Sequence, residues 1–360
     1  MKAIILVGGQ GTRMRPLTLD LPKPLLPIAN IAFITRQLLW LKQYGIYDVV
    51  LSLCYLPDQF VEYFDKNPIE NMKISYIVED SPLGTGGAIK YSAGEIQDSV
   101  IVCNGDVLTE IDLQELIDLH NSKNSLATIA LTKVEDPSAF GVVPTNADRQ
   151  VVAFVEKPSK QNAPSHWINA GIYVLSKDFL DIIPEGIQVS IERETFPKAI
   201  LQGSLYALES DEYWLDIGTV DKYIQAHTYI LNKLSSTSNN ETYREVSNNI
   251  FSDGAVDLGK DVVVLSKCLL GDGTKIGDNT ILDNVTIGKN VEVSKNVKII
   301  NSVIYDGAVI NSDVNIYDSI IGNNALISEG VSLSELCVIG SNEKLAPGES
   351  LVAKRVPSNE

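Results

Sequence analysis

Residues 8–18 read Gly8-Gly9-Gln10-Gly11-Thr12-Arg13-Met14-Arg15-Pro16-Leu17-Thr18, and Pro22-Lys23-Pro24 follows closely. Three glycines in four positions let the main chain approach a ligand and aim N–H groups at phosphate oxygens. Arg13 and Arg15 on the same loop offer guanidinium forks matched to phosphate geometry, and Lys23 is a point cation held between prolines. The glycines alone would serve a tight strand-to-helix turn equally well. The added cations favour a loop that holds a polyphosphate.

Carboxylates come next. Asn104-Gly105-Asp106 follows the apolar run Val100–Cys103, and Asp216 lies in Trp214-Leu215-Asp216-Ile217-Gly218-Thr219. An aspartate at the carboxyl end of a strand is a natural ligand for a hard cation, although Gly-Asp after a strand is more often only a turn. Glu156-Lys157, alone, reads as a solvated strand end. His120, His166 and His227 form no constellation, and no Ser-His-Asp arrangement is legible. Cys54, Cys103, Cys268 and Cys337 are far apart, so neither a zinc signature nor a disulfide framework is expected, which suits a cytoplasmic protein.

Two kinds of framework must position these residues. Over the first 233 residues, short β-rich runs (Ala3–Val7, Asp48–Leu53, Ile74–Val78, Val100–Cys103, Ala127–Leu131) alternate with helical spacing at 34–44 and 113–121. That alternation predicts an α/β domain with a mostly parallel sheet, helices on both faces, and ligands beyond the carboxyl ends of the strands. The polar run Ser235-Ser236-Thr237-Ser238-Asn239-Asn240 marks a linker, placed at 234–250. From 251 to 360 aliphatic residues recur every five or six positions, from Leu258 through Leu270, Ile287, Ile304 and Ile321 to Ile339, with a super-period of 17. Three short strands per coil, each turning one aliphatic residue inward, give a triangular parallel β-helix. Gly, Asn and Asp fill its turns, as in Gly271-Asp272-Gly273 and Gly322-Asn323-Asn324. The repeat is expected to end near Ile339, with the polar tail capping it. Val303, Ile320 and Val338 are expected on the outer face, available for packing between chains.

Along nearly its whole length the chain resembles the sugar-1-phosphate nucleotidylyltransferases, from the G-G-x-G-T-R-x-x-P-L-T…P-K-P signature to the β-helix. The resemblance implies a Rossmann-like nucleotidyltransferase domain over 1–233 and a left-handed β-helix of hexapeptide repeats over 251–360. It implies that Leu6, Gly8, Gly9, Gly11, Thr12, Arg13 and Lys23 bind the nucleotide, with Arg13 and Lys23 on the phosphates. Glu79, Gly84 and Thr85, in Glu79-Asp80-Ser81-Pro82-Leu83-Gly84-Thr85-Gly86-Gly87-Ala88, correspond to a base-recognition loop. Gly141, Glu156, Lys157 and Asn169 fall in the sugar-phosphate segments, with Lys157 on the sugar phosphate. Asp106 and Asp216 match the aspartates that hold Mg²⁺, and with Arg13, Lys23 and Lys157 they make up the catalytic set. The chain departs from relatives that carry a second Lys-Pro: it has Asn30-Ile31-Ala32-Phe33.

The implied reaction joins a nucleoside triphosphate to a sugar-1-phosphate and releases pyrophosphate. The loop at 82–87 and the segment Ser190-Ile191-Glu192-Arg193-Glu194-Thr195-Phe196-Pro197 are closest to mannose-1-phosphate guanylyltransferases. GTP and mannose-1-phosphate are therefore the expected pair, with UTP or dTTP and glucose-1-phosphate as the alternative. A silent regulatory subunit of the same fold would be expected to lose the charged set, which is complete here. An acyltransferase in the β-helix would use a histidine base, and none occurs after His227. The net charge of −17 argues against nucleic acid or an anionic membrane as partner. By resemblance, a homo-oligomer built through the β-helix is expected.

Overall fold

The computed structural model describes residues 1–96, 98–235 and 242–358. The apolar runs read from the sequence become strands Lys2–Val7, Asp48–Leu53, Lys73–Val78, Ser99–Asn104 and Ala127–Lys133. Lys73–Val78, Asp48–Leu53, Lys2–Val7 and Ser99–Asn104 lie side by side and parallel. Leu6 is registered against both Ser52 and Asn104, so the chain leaves three adjacent strands at Gly8, Cys54 and Gly105. The three strands therefore end side by side at one edge of the sheet.

The sheet is mixed rather than parallel throughout. Trp167–Ser176 runs antiparallel to Ser99–Asn104 and pairs in turn with Ala127–Lys133, which pairs with Leu205–Ser210. The helix expected at 34–44 spans Phe33–Gln43, and Gly45 closes it with φ 74°, as the cap reading requires. Helix Leu113–Lys123 starts at Asp112, whose carboxylate accepts from the Gln114 and Glu115 amides. Ile4, Val102, Ile129 and Tyr173 are fully buried in the sheet's core.

By contacts the chain forms two compact units. One is Met1–Gly9 with Ile34–Asp216; the other is Gln10–Phe33 with Ile217–Glu360. This division differs from a boundary at 234–250, because residues 10–33 belong with the C-terminal unit. Residues 236–241 of the expected linker lie outside the described residues. Its flanks are structured: Leu234 and Tyr243 are buried, and Arg244–Ser247 pairs with Ile250–Ser252, so the β-helix begins inside the stretch assigned to the linker.

In the C-terminal unit, short strands stack in parallel into three sheets, one per face of the coil. Leu270, Ile287, Ile304, Ile321 and Ile339 all point into a single buried column, because each coil, of 17 residues up to Ile321 and 18 to Ile339, returns to the same face. Gly273, Asn279 and Asn324 adopt positive φ, the corner role anticipated for Gly and Asn. Side chains also stack coil on coil: Asn284 Nδ2 donates to Asn301 Oδ1 at 2.7 Å, and Asn301 Nδ2 donates to Asp318 at 2.5 Å.

Two expectations are corrected. The coil does not end at Ile339: Lys344–Leu345, Ser350–Val352 and Arg355–Val356 form one more turn, each strand paired to the coil below. Its polar sequence hid it, since only Leu345 of this turn is fully buried, while Leu351 and Val356 are half-buried. Val303, Ile320 and Val338 are not an outer ridge. They are 1%, 0% and 0% exposed within the single chain, so they offer nothing to a second copy.

Candidate functional site

In the first unit, the turn Asn104-Gly105-Asp106 is held from two sides. The Gly105 amide donates to Leu6 O, and buried Gln37 donates through Nε2 to both Asn104 O (2.8 Å) and Val107 O (2.9 Å). Gly105 has no room for a side chain, since a Cβ there would lie 2.3 Å from Val7 Cγ1. Val107–Thr109 then pairs antiparallel with Trp214–Asp216, and Asp216 stands opposite Val107. Asp106 and Asp216, 110 residues apart in sequence, are thereby brought to adjoining cross-strand positions. Gln37 is a positioning residue that sequence reasoning missed; a lone glutamine on a helix carries no signal.

The sugar-segment residues also meet on paired strands. Glu156 is registered against Gly141, and Val142 against both Val155 and Ile168, which precedes Asn169. A Cβ on Gly141 would stand 2.6 Å from the Phe154 ring, so this approach admits only glycine. Asn169 Nδ2 donates to Tyr173 Oη at 2.8 Å, and Asn169 Oδ1 accepts from the Gly171 amide at 2.9 Å. That fixes the amide's orientation and leaves one N–H and one lone pair for a ligand. Lys157 has φ 48°, unusual for a lysine, with its amide bonded to Phe140 O and its Nζ 3.7 Å from Glu156 Oε1. Such a conformation costs on the order of 1 kcal/mol. Trp214 joins this patch to the Asp216 strand: its Nε1 donates to Ala170 O, and its ring meets Phe140 edge-on at 5.8 Å. The sequence motif contained Trp214 without revealing that role.

The expected base loop is built from within. Glu79 Oε2 accepts from the Leu83 amide (2.9 Å) and Oε1 from Ser52 Oγ (3.3 Å). Thr85 Oγ1 donates to Glu192 Oε2 and accepts from the Ile191 amide. Gly84, with φ 70°, lies where a Cβ would be 2.6 Å from Val189 O. Its glycine is thus explained by packing against Gln188 and Val189. The loop at 82–87 and the segment 190–197, separate clues in the sequence, therefore form a single packed substructure. Gly8 is close to Cys54, with 3.3 Å from a would-be Cβ, whereas Gly9 is open. The Cys54 thiol is pushed up by burial and by Glu79. Burial alone pushes Cys103 up to about 12, so that thiol is inert packing.

Gly11, Thr12, Arg13 and Lys23 belong to the second unit. Gly11 takes φ 61° and opens a short 3₁₀ turn, Thr12–Met14. Thr18 Oγ1 donates to Gly11 O, and a Cβ on Gly11 would lie 3.0 Å from the Cβ of Lys23. Lys23 is 8% exposed, its stem packed beneath the loop. The Arg13 guanidinium rests on Gly218, where a Cβ would come within 2.8 Å of Nη2. Gly218 is the second residue after Asp216, so the glycine of that motif serves Arg13.

His120 and His227 are buried and structural. His227 Nδ1 accepts from the Ala29 amide while Nε2 donates to Pro27 O, which sets a neutral tautomer. His166 is exposed, with Nδ1 donating to Val134 O. No helix is long and apolar enough to cross a membrane among the described residues.

Within the first unit the carboxylate pair Asp106 and Asp216 is thus tied through Trp214 to the strands that carry Gly141, Glu156 and Asn169. Residues 2–233 match the nucleotidyl transferase family, and the chain belongs to it. Residues 247–351 match the EIF2B subunit epsilon LbH domain, which makes the stacked coils a left-handed β-helix. Mannose-1-phosphate guanylyltransferase of Mycobacterium tuberculosis is 38% identical over 277 residues, 76% of each chain. Mannose-1-phosphate guanylyltransferase 1 of Arabidopsis thaliana is 36% identical over 290 residues, 77% of this chain and 80% of the relative. Among solved structures, HddC from Yersinia pseudotuberculosis complexed with GMP-PN superimposes with TM-score 0.56 and 33% identity, over 64% of this chain and 99% of that one. A putative glucose-1-phosphate thymidylyltransferase from Bacillus anthracis gives TM-score 0.58 at 25% identity, over 65% of this chain and 96% of that one. The chain is a nucleotidyltransferase of the sugar-1-phosphate type.

Proposed function

We propose that the chain transfers a guanylyl group from GTP to mannose-1-phosphate, giving GDP-mannose and pyrophosphate. The observation that carries the reading is the cross-strand placement of Asp216 beside Asp106, joined through Trp214 to the patch of Gly141, Glu156 and Asn169. The choice of base and sugar is supported by relatives whose names specify that pair.

In this reading an oxygen of the sugar phosphate attacks the α-phosphorus in line. A phosphorus–oxygen bond forms there as the bond to the β-phosphate oxygen breaks, and pyrophosphate carries away the electron pair. The attacking phosphate is already anionic, so no general base is needed and catalysis is positioning with charge neutralisation. Lys157 holds the sugar phosphate, Arg13 and Lys23 hold the triphosphate, and Asn169 and Glu156 bind sugar hydroxyls. Leu6, Gly8, Gly9, Gly11 and Thr12 line the nucleotide, while Glu79, Gly84 and Thr85 shape the base loop.

Two carboxylates fit a hard cation whose remaining ligands are phosphate oxygens and water, the usual manner for Mg²⁺. When bound by Asp106 and Asp216, Mg²⁺ would supply charge neutralisation at the α-phosphate.

The test is a screen of four nucleoside triphosphates against mannose-, glucose- and other sugar-1-phosphates, reading pyrophosphate. GTP with mannose-1-phosphate should give the highest kcat/KM. A preference for UTP or dTTP with glucose-1-phosphate would overturn the substrate assignment, and no release with any pair would overturn the reaction.

A further inference from the structure

The last coil of the β-helix is bonded to the phosphate-loop signature. Arg355 stands on the final strand, Arg355–Val356, registered against Val338. Its Nη1 donates to two main-chain carbonyls, Arg13 O at 2.8 Å and Arg15 O at 2.6 Å. Gly340, on the coil below, is close to Pro16: a Cβ there would be 3.3 Å from Pro16 Cγ. The loop is therefore gripped on both sides of the Met14 turn. We infer that Arg355 is a positioning residue for the triphosphate loop, and that the terminal coil belongs to the machinery rather than merely capping the solenoid.

Chemistry explains why an arginine stands there. The carbonyls of Arg13 and Arg15 accept from a cation, so both bonds are charge-assisted and stronger than neutral ones. One nitrogen shared by two carbonyls fixes their separation, and with it the plane from which the Arg13 side chain departs toward Gly218. The guanidinium also adds a third positive charge to a loop that already carries Arg13 and Arg15, which favours an anionic ligand. Further hydrogen bonds seat the chain after the signature. Tyr223 Oη donates to Pro27 O and accepts from Tyr305 Oη, and Asn30 Nδ2 donates to Ile287 O at 2.9 Å. Residues 10–33 thus rest on the β-helix at several points, with Arg355 the one at the cationic end.

The inference rests on reading 8–23 as the triphosphate loop, so its test has one arm independent of catalysis. Hydrogen exchange is measured by mass spectrometry on peptides covering 11–19 in wild type, Arg355→Ala and Arg355→Lys. In the Ala variant, exchange in these peptides should rise about tenfold, the loss expected for a charge-assisted hydrogen bond, with peptides from 127–133 unchanged. In the kinetic arm, KM for the triphosphate should rise about tenfold and KM for the sugar phosphate should hold. Arg355→Lys, which keeps the charge and a donor, should recover at least half of both effects on a logarithmic scale. Wild-type exchange at 11–19 in Arg355→Ala overturns the inference whatever the activity. If the Ala variant loosens everywhere, the Lys variant decides: a Lys variant that is folded but no better than Ala at 11–19 also overturns it. A wild type that releases no pyrophosphate sinks the proposed reaction and leaves the exchange arm standing.

Discussion

Adding one methyl group at Gly218 should disable the protein without unfolding it. A Cβ there would stand 2.8 Å from Arg13 Nη2 and 3.2 Å from Cζ and Nη1. Carbon reaches its contact minimum with such atoms at about 3.5–4.0 Å, so the guanidinium must retreat by roughly 1 Å. Gly218 does not occupy the left-handed region, so alanine costs the backbone little. The obstructing atoms end a flexible side chain, and they give way cheaply. The expected change in stability is under about 1 kcal/mol, with the sign of any backbone term favouring alanine. Catalysis is less tolerant: a group misplaced by about 1 Å can cost on the order of 10²-fold. That is roughly 2.7 kcal/mol of transition-state stabilisation.

The assay is a double-mutant cycle in pyrophosphate release, with thermal melts on all four proteins. Gly218→Ala should fall about 10²-fold in kcat/KM for the triphosphate and melt within a few degrees of wild type. In the Arg13→Ala background, Gly218→Ala should do almost nothing, because the group it displaces is absent. Turnover of Gly218→Ala within threefold of wild type would refute the reasoning. So would a full second loss in the Arg13→Ala background, which would mean that Gly218 acts through something other than Arg13.

Two further outcomes are expected. Asp216→Asn, an isosteric change on a strand paired to Val107–Thr109, should keep the fold yet lose most divalent-dependent turnover; near-normal turnover across an Mg²⁺ titration would contradict the cation role. The second concerns pH. Burial holds the His120 imidazole below its usual range, against the opposing pull of Asp98, and its nitrogens face Ser99, Ser125 and Thr128 hydroxyls. The folded state therefore takes up a proton less readily than the unfolded one, so the stability this group contributes is complete above about pH 6.5 and is lost as pH falls toward the depressed value. His120→Gln should flatten the decline in Tm between pH 7 and 5; an unaltered slope would show that other groups govern it.

The strands and the coil column were legible because each repeats a simple apolar pattern: five runs for the sheet, and one inward aliphatic residue per face for the solenoid. The tight turn of the glycine-rich signature was legible too, since Gly11 takes the left-handed conformation that glycine favours. What escaped reading depended on long-range pairing. Asn169 reads in the sequence as part of a sugar segment, with no sign of the central antiparallel strand Trp167–Ser176 that carries it, because that strand's direction is set by neighbours distant in sequence. Gln37 and Trp214 act through main-chain carbonyls, and a carbonyl acceptor leaves no trace in residue identity. The final coil was missed for a physical reason: at a solenoid's end one side of the coil faces solvent, so the hydrophobic signal fades while the backbone ladder persists. Val303, Ile320 and Val338 were misplaced because alternation along a strand says which face a residue takes, not what covers that face.

The placement of residues 10–33 changes how the β-helix must be tested. Truncation before Ile250 would remove several partners of the signature region at once. Arg355 holds the Arg13 and Arg15 carbonyls, the Ile287 carbonyl holds Asn30, and Tyr305 holds Tyr223. An inactive truncated protein would therefore say nothing about assembly, because loss of a subunit contact and release of the loop have the same outcome. Assembly has to be probed where the coil is free of these attachments. Val263 and the adjoining Leu265 are exposed on the solenoid, well removed in sequence from Ile287, Tyr305 and Arg355. Charged substitutions at Val263 and Leu265 leave the loop's partners in place, so light scattering on such variants isolates the subunit question. Arg355→Ala, in turn, leaves those exposed residues intact and isolates the loop.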